Sequence, residues 1–366
     1  NNGKNILFIL SWKNWTKMSL RGFTPFEPIF DISSLCCSNL QSSTTYEPFG
    51  TILGNSAGQS SSPDEGLQNP WEDLQRETNQ YREPGVLLWR GFTLQEFANQ
   101  LLGNKGDNGK GRQMPIHYGS NKLNYFTVSS TIATQLPQAV GVAYSLKMDK
   151  KDACVVTYFG DGTTSEGDFH AALNLGAVVE VPVIFLCRNN GWAISTPVAE
   201  QFRSDGIAIK GQAYGVRSIR VDGNDALAVY SAIRAARKMA IKEQRPILVE
   251  AMAYRVGDHA SSDDSTKYRS MEEIEYWRRR SSVARFRKWI QKNGWWSDEN
   301  EFEFRGNIKE QVSQAIQAAE KEEKPPLADL FTDVYDQIPS NLKEQERYIR
   351  DAIKRRPKEY PSNMPL

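Results

Sequence analysis

"GDGTTSEGDFH" occupies residues 160–170, and "RNNGWAIS" occupies residues 188–195. About 30 residues separate Asp161 from Asn190, which is the length of one helix-and-strand crossover between parallel strands. The run "DACVVTYFG" that leads into the first stretch is apolar and β-branched, as is typical of a buried strand. The spacing therefore predicts that Asp161 and Asn190 follow successive strands.

Strand and helix patterns alternate along the rest of this region. Helices are predicted over residues 165–180 and from a cap at Asn224 or Asp225. Between and after them lie the strand-like runs "VPVIFLCRN", "RSIRVDG" and "ILVEAMAYRV". This alternation predicts an α/β fold with a mostly parallel sheet and helices on both faces. After residue 271 the chain is charged and rich in tryptophan, which favours a helical C-terminal extension.

Composition excludes several classes of protein. The 366 residues are 39% hydrophobic and 24% charged, which describes an ordinary globular chain. A net charge of +1 gives no electrostatic case for nucleic acid. No apolar run approaches the roughly 18 residues of a membrane span. Cys154 and Cys187 lie in strand-like runs as small core residues, and the absence of a disulfide framework favours a reducing compartment.

Residues 1–79 show no sustained helix or strand period. Residues 1–26 carry lysine and arginine but no acid, and the serine-rich "SSLCCSNLQSSTT" follows. This pattern predicts an organelle-targeting leader and a disordered linker. The alternative is a disordered or misassigned terminus. We therefore expect three parts: a leader and linker over 1–79, an α/β domain over 80–270, and a helical extension over 271–366 packed on that domain.

The polar residues at the strand ends predict a metal site. Ligands bind beyond the carboxyl ends of parallel strands, where Asp161 and Asn190 would meet. Gly160 and Gly162 would let the backbone turn and approach a ligand, and the next helix would direct its N-terminal amides at an anion. A carboxylate and an amide oxygen suit magnesium that shares phosphate oxygens. "GDG" alone is common, but its pairing with "NN" predicts a metal–diphosphate clamp.

The residues from 160 to 190 resemble the thiamine diphosphate motif. More widely, the chain from "QYREPGVLLWRG" to about residue 360, about three quarters of its length, resembles the alpha subunit of the branched-chain 2-oxoacid dehydrogenase, decarboxylating component, of plant type. The likeness runs through "GKGRQMPIHYGS", "SSTIATQLPQAVG", "CRNNGWAISTP", "SIRVDGND" and "SSDDSTKYRS". It is nearer to this family than to its pyruvate dehydrogenase relative, and it implies the thiamine diphosphate-binding fold.

The resemblance implies a full set of site residues. Magnesium would be held by Asp161, Asn190 and the carbonyl of Trp192. The cofactor would contact Tyr81, Arg82, Ser130, Ile132, Gly160, Gly162, Arg188, Arg255 and His259, and potassium would bind Ser129, Thr131, Thr134 and Gln135. His259 would be the catalytic histidine, which suits a group whose pKa lies near working pH. We expect His170 to be structural, and His117 to line either the site or a subunit interface.

The resemblance also implies the reaction and its setting. The cofactor would accept electrons as carbon dioxide leaves a branched-chain 2-oxoacid, and the acyl group would pass to lipoamide. The partners would be a beta subunit in an α2β2 heterotetramer, which supplies the activating glutamate, and a lipoyl-bearing acyltransferase core. The location would be the mitochondrial matrix, in branched-chain amino-acid catabolism.

The sequence departs from the family pattern in three places. Residues 1–79 do not match the helical segment that precedes "QYREPG", as if a leader were joined to the core by an aberrant splice or gene prediction. Asp258 replaces the first of two histidines, and an aspartate there is expected to raise the pKa of His259. Ala260 replaces the principal phosphorylation serine, while Ser270 matches the secondary one and is predicted to be regulatory.

Two other functions compete with this one. The first is a catalytically impaired subunit that binds the beta chain or the cofactor without turnover, which the change at Asp258 and the N-terminal departure favour. The second is a Rossmann-type dehydrogenase, which fails because no GxGxxG follows a strand with an acidic residue about 20 residues further on.

Overall fold

The structure is a computed structural model that describes residues 76–78, 82–360, 362 and 364–365. The predicted leader up to residue 75 and the predicted cofactor contact Tyr81 lie outside the described residues. None of the described helices combines the length and the apolar character that a membrane span requires.

A five-stranded parallel sheet forms the centre of the fold. In chain order, the seven described strands are β1 (Arg76–Thr78), β2 (Val155–Gly160), β3 (Val183–Asn189), β4 (Trp192–Ala193), β5 (Thr196–Pro197), β6 (Arg217–Asp222) and β7 (Ile247–Met252). The main sheet has the order β1-β2-β3-β7-β6, and each neighbouring pair is parallel. β4 and β5 form a separate antiparallel hairpin. The predicted fold class, with its mostly parallel sheet, is confirmed.

Helices precede, connect and follow these strands. The described α-helices are α1 (Pro84–Arg90), α2 (Leu94–Leu102), α3 (Gln135–Met148), α4 (Gly167–Val178), α5 (Val198–Gln201), α6 (Ala208–Gln212), α7 (Ala226–Glu243), α8 (Met271–Arg279), α9 (Ser282–Lys292), α10 (Asp298–Lys321) and α11 (Ser340–Arg355). Short 3₁₀ turns occupy Asp161–Ser165, Ser265–Lys267, Leu327–Phe331 and Pro357–Glu359.

Both faces of the sheet are covered. α4 connects β2 to β3, whereas α7 connects β6 to β7 across the sheet in the opposite direction. Because such crossovers are right-handed, α4 and α7 lie on opposite faces. On one face Val155, Phe159 and Phe185 join the cluster formed with α3 and α4. The intervening Val156 and Ile184 are also fully buried, so the strands are apolar on both sides.

Several predicted boundaries shift in the structure. α4 begins at Gly167 and not at 165, because residues 161–165 are taken up by a 3₁₀ turn after β2. α7 is capped by Asp225, whose side chain accepts hydrogen bonds from the amides of Leu227 and Ala228. Of the two candidate caps, the structure therefore uses Asp225.

One short strand lies within residues 1–79, where the sequence shows no sustained strand period. Arg76–Thr78 forms an edge strand paired in parallel with β2, with Arg76 opposite Val155 and Thr78 opposite Thr157. Three polar residues carry no readable alternation. Backbone hydrogen bonding to a neighbouring strand, which sequence patterns do not reveal, creates β1.

The C-terminal helix α10 packs against α2 and the loop after it, which lie between β1 and β2 in the chain. Ala98 on α2 is buried with Ala315 and Ala319 on α10. Side-chain amides join the two helices further: Gln95 donates to the carbonyl of Ala315, and Asn104 donates to that of Ala319. The domain boundaries at 80 and 271 stay a prediction.

The strand order locates the place where a ligand is expected. The chain moves in one direction from β2 to β3 and in the other from β6 to β7, so the topology reverses between β3 and β7. Ligands of open parallel sheets bind at such a switch point, beyond the carboxyl ends of the strands. Residues that follow β2, β3 and β7 therefore meet at this edge.

Candidate functional site

Asp161 and Asn190 are brought together at the ends of β2 and β3. Asp161 is 1% exposed and begins the 3₁₀ turn after β2. Its Oδ1 accepts a hydrogen bond from the backbone amide of Asn190 at 3.2 Å, and its Oδ2 accepts one from Nε2 of Gln201 at 2.8 Å. The crossover spacing predicted this meeting of Asp161 and Asn190, but nothing in the sequence indicated Gln201.

The two adjacent asparagines have different surroundings. Asn189 is buried and donates from Nδ2 to Glu250 at 2.8 Å, while its Oδ1 accepts from the amide of Gly191 at 3.1 Å. The Oδ1 of Asn190 instead accepts from the amide of Trp192 at 3.2 Å, closing a tight turn beside Asp161. Asn189 therefore anchors the turn in the core, and Asn190 faces the predicted metal site.

The two predicted glycines differ in what the structure requires of them. A Cβ on Gly162 would lie 2.8 Å from the Cβ of Ala193, so glycine allows the turn to pack on β4. Gly160 has a φ of −95° and extended geometry, which any residue adopts. The turn at Gly160 therefore does not require glycine for its backbone angles, and the close approach to a ligand stays a prediction.

A buried carboxylate accompanies the predicted phosphate-binding arginines. Arg188 at the end of β3 forms an ion pair of 2.9 Å with Glu83, whose side chain is only 9% exposed. Burial raises the pKa of Glu83, and the guanidinium groups of Arg188 and Arg82 oppose that shift. The second oxygen, Oε2, is buried and accepts no hydrogen bond from the described residues. This part of the site thus holds unsatisfied polar groups.

His259 lies between two arginines. Nη2 of Arg82 is 3.0 Å from Nδ1 of His259, and Nη1 of Arg255 is 3.5 Å from the same atom. Burial lowers the pKa of His259, the two guanidinium groups lower it further, and the carboxylate of Asp263 opposes them. Nη2 of Arg82 also lies 3.3 Å from Nε2 of His259, so one guanidinium group spans both ring nitrogens and is nearer to Nδ1.

Asp258 does not act on its neighbour as expected. Its Oδ1 accepts hydrogen bonds from the amide and the hydroxyl of Ser265, at 3.0 and 2.6 Å, and these bonds lower the pKa of Asp258. The expectation that Asp258 raises the pKa of His259 is wrong, because burial and the two arginines dominate at the ring and lower that pKa.

Arg255 joins the histidine loop to the β4–β5 hairpin. Its Nη2 donates to the carbonyl of Ile194 at 2.6 Å and to the hydroxyl of Tyr268 at 2.9 Å. Ile194 has a φ of +55°, which is rare for a β-branched residue and marks local strain of the kind that clusters at functional sites. Nε of Arg255 is buried and donates to no described residue.

Comparison with known proteins identifies the family. Residues 65–328 match the model of the dehydrogenase E1 component. The chain belongs to the dehydrogenase E1 component family. This membership implies thiamine diphosphate as the cofactor.

Several similar curated proteins are named as alpha subunits. The chain is 70% identical over 288 residues to the 2-oxoisovalerate dehydrogenase subunit alpha 2, mitochondrial, of Arabidopsis thaliana, covering 78% of this chain and 61% of that protein. It is 51% identical over 286 residues to the corresponding alpha subunit of Dictyostelium discoideum, covering 78% and 65%, and 47% identical over 283 residues to that of Mus musculus, covering 77% and 64%. The chain thus spans less than two thirds of the length of these relatives.

The donor set of this E1 component fits magnesium. Within the described residues, three or more histidine, cysteine, aspartate or glutamate side chains do not gather in a metal-binding cluster. Asp161 is instead a single carboxylate beside an amide side chain, and magnesium takes one or two carboxylates together with phosphate oxygens and water. The buried, half-satisfied atoms of Glu83 and Arg255 further indicate that polar ligand groups belong at this edge.

The loop before α3 gathers hydroxyl and carbonyl oxygens. The hydroxyl of Thr134 donates towards Ser129 Oγ at 3.2 Å and towards the carbonyl of Thr131 at 2.9 Å. Ala133 between them has a φ of +73°, a second strained position. Gln135 directs its Nε2 to the carbonyl of Tyr158 in β2 at 3.1 Å. Three of the four predicted potassium ligands therefore lie together, and the potassium site stays a prediction.

His117 contacts a predicted cofactor residue. It is 8% exposed, its Nδ1 lies 3.1 Å from the carbonyl of Pro115, and its Nε2 lies within hydrogen-bond distance of the Ser130 hydroxyl. Because a carbonyl oxygen only accepts, Nδ1 donates to Pro115. The structure thus brings His117 into contact with Ser130, and Ile132 in the same loop is 36% exposed.

The remaining histidine and the predicted regulatory serine lie elsewhere. Nδ1 of His170 is 2.6 Å from the hydroxyl of Tyr214, a contact that is consistent with the predicted structural role of His170. Ser270 is exposed and caps α8, where its hydroxyl accepts from the amide of Glu273 at 3.1 Å. The regulatory role of Ser270 stays a prediction.

Proposed function

We propose that this chain is the alpha subunit of a branched-chain 2-oxoacid dehydrogenase, acting in thiamine diphosphate-dependent oxidative decarboxylation with acyl transfer to lipoamide. The observation that carries the proposal is the position of His259. The chain holds this histidine between Arg82 and Arg255, at the edge of the sheet that also carries Asp161 and Asn190.

The cofactor would be anchored by residues from three strand ends. Asp161, Asn190 and the carbonyl of Trp192 would hold magnesium, and Arg82 and Arg188 would bind the diphosphate. Arginine suits this task because its planar fork matches phosphate oxygens. Ser130 and Ile132 would contact the thiamine, with potassium steadying their loop through Ser129, Thr131, Thr134 and Gln135.

The chain's own groups would bind and orient the substrate and move a proton. When bound, thiamine diphosphate supplies the electron sink for decarboxylation. The ring of His259 would donate the proton to the reacting group, and Nε2 is the ring nitrogen farther from Arg82. Arg82 and Arg255 hold the ring in one orientation and disfavour its charged form, because a cation beside two guanidinium groups is repelled.

The proposed partners extend the site. A beta subunit would complete an α2β2 heterotetramer and supply the glutamate that activates the cofactor, and a lipoyl-bearing acyltransferase would accept the acyl group. Relatives named as mitochondrial support a mitochondrial location, and we propose the matrix. Ser270 is proposed as a regulatory phosphorylation site, since a phosphate at the start of α8 would meet unpaired helix amides.

The test is carbon dioxide release from 3-methyl-2-oxobutanoate by the full chain co-expressed with a beta subunit. We expect release that requires thiamine diphosphate and magnesium and that exceeds release from pyruvate. Asp161→Ala should abolish it, whereas Asp168→Ala, at an exposed aspartate of α4, should not. A complex that assembles and binds the cofactor but releases no carbon dioxide would instead support a binding subunit without turnover.

A further inference from the structure

Gln201 contacts the carboxylate at the centre of the site. It is the last residue of α5, directly after the β4–β5 hairpin. Its Nε2 donates to Oδ2 of Asp161 at 2.8 Å and lies 3.3 Å from the carbonyl of Thr196. One amide group thereby ties the buried carboxylate to the hairpin.

The amide of Gln201 can face Asp161 in only one way. Reversing it would place the amide oxygen against a carboxylate oxygen, and neither atom can donate. The NH₂ group therefore faces Asp161, and Oε1 points elsewhere. This Oε1 is buried and accepts no hydrogen bond from the described residues. A buried acceptor without a donor among the described residues indicates that a group outside them, such as a bound water, donates to it.

The two oxygens of Asp161 are each fixed by a different donor. The amide of Asn190 holds Oδ1 and Gln201 holds Oδ2, so the carboxylate cannot rotate without breaking one of these bonds. Each oxygen keeps a further lone pair for a ligand. Groups that hydrogen-bond a metal ligand in this way set its orientation and hence the affinity of the site.

We propose that Gln201 is a positioning residue for magnesium binding. Its NH₂ group orients Asp161, and its free Oε1 accepts a hydrogen bond from a water molecule bound to the metal. Magnesium retains several such waters in protein sites, because it sheds its hydration shell reluctantly. This inference rests on the proposed function, since it takes Asp161 as the metal ligand.

The experiment measures magnesium dependence without turnover. The full chain in complex with its beta subunit is titrated with magnesium at fixed thiamine diphosphate, and cofactor binding is followed by tryptophan fluorescence. Gln201→Met keeps the length of the side chain and removes both hydrogen-bonding groups. We expect the magnesium concentration at half-saturation to rise about 10- to 100-fold. Gln201→Asn, which shortens the amide by one methylene, should give a smaller rise.

Gln291 provides the matched control. Its Nε2 donates to Asp298 at the same 2.8 Å, on exposed surface of the C-terminal helices. Gln291→Met should leave the magnesium dependence unchanged. If Gln201 positions the metal ligand, the melting temperature without magnesium should be the same for wild type and Gln201→Met. If Gln201 only stabilises the fold, Gln201→Met should lower that temperature.

The outcomes separate this inference from the proposed function. Suppose that wild type binds the cofactor with magnesium and that both Gln201 variants show the same magnesium concentration at half-saturation. In that case the positioning role of Gln201 is overturned and the proposed function stands. If wild type shows no magnesium-dependent binding of thiamine diphosphate, both fall together. If Gln201→Met does not fold, Gln201→Asn alone decides the matter by the same shift.

Discussion

Glu250 and Glu83 are both buried carboxylates, and the contrast between them separates the framework from the site. Glu250 is 0% exposed and receives four hydrogen bonds. Glu83 pairs with Arg188 through one oxygen and leaves the other unsatisfied. A fully satisfied buried charge holds one conformation, whereas a half-satisfied one marks a place where a ligand or partner completes the network.

The four donors to Glu250 come from three separate segments. They are the Nδ2 of Asn189 at 2.8 Å, the amides of Ile207 and Ala208 at 3.0 and 2.8 Å, and the Nε of Arg220 at 3.0 Å. Gly206 has a φ of +72°, and a Cβ there would lie 2.8 Å from Oε1 of Glu250. Glu250 therefore joins β3, β6 and the segment before α6, and through Asn189 it supports the turn at Asn190.

The largest effect is expected at Glu250. Glu250→Ala leaves Nε of Arg220, Nδ2 of Asn189 and the amides of Ile207 and Ala208 without this acceptor, so the free energy of unfolding should fall by about 3–5 kcal/mol. Calorimetry or denaturant unfolding measures it. Glu180→Ala, which removes a surface pair with Arg245 at 51% exposure, should change it by about 1 kcal/mol or less. Equal losses in the free energy of unfolding for Glu250→Ala and Glu180→Ala would contradict the structural importance of Glu250.

A smaller effect on the free energy of unfolding is expected at Glu83, where the buried carboxylate costs stability as pH rises. Its pKa is raised in the folded protein, so the folded state binds the proton more tightly and stability should fall as pH rises through that pKa. Glu83→Gln removes this loss and should change the stability at pH 7 by about 1 kcal/mol or less, because Arg188 is 38% exposed and can rehydrate. Thermal unfolding between pH 4 and 8 measures the slope. If stability depends on pH with the same slope in wild type and Glu83→Gln, this pH dependence does not come from Glu83.

The smallest effects concern the protonation of His259. Arg255→Gln removes one guanidinium group and should raise the pKa of His259 towards its ordinary value, whereas Asp263→Asn should lower it further. Asp258→Asn should leave it unchanged, since that carboxylate is bonded to Ser265. NMR titration of the ring protons measures all three. A change in the pKa on replacing Asp258 would restore the simpler expectation from sequence adjacency.

Neighbours in sequence predicted some features of the site and misled at others. The crossover length was sufficient to bring Asp161 to Asn190, because parallel strands joined by a helix end at the same edge. The same reasoning failed for Asp258 and His259, which are adjacent in sequence but have different hydrogen-bonding partners. The sequence did not predict the positions of Gln201 and Glu250. Glutamine is an ordinary residue in a short helix, and a lone glutamate in a strand is usually expected to be solvent-exposed.

The sequence by itself determined the alternation of strands and helices, the covering of both faces of the sheet and the meeting of polar residues at its carboxyl edge. These follow from hydrophobic period, caps and right-handed crossovers, which are local or nearly local properties. Only the tertiary structure decided that Arg82 and Arg255 lower the pKa of His259, that Glu83 pairs with Arg188, and that Gln201 holds Asp161. Those outcomes depend on which distant side chains share a low-dielectric interior, and burial and charge act through space and not along the chain.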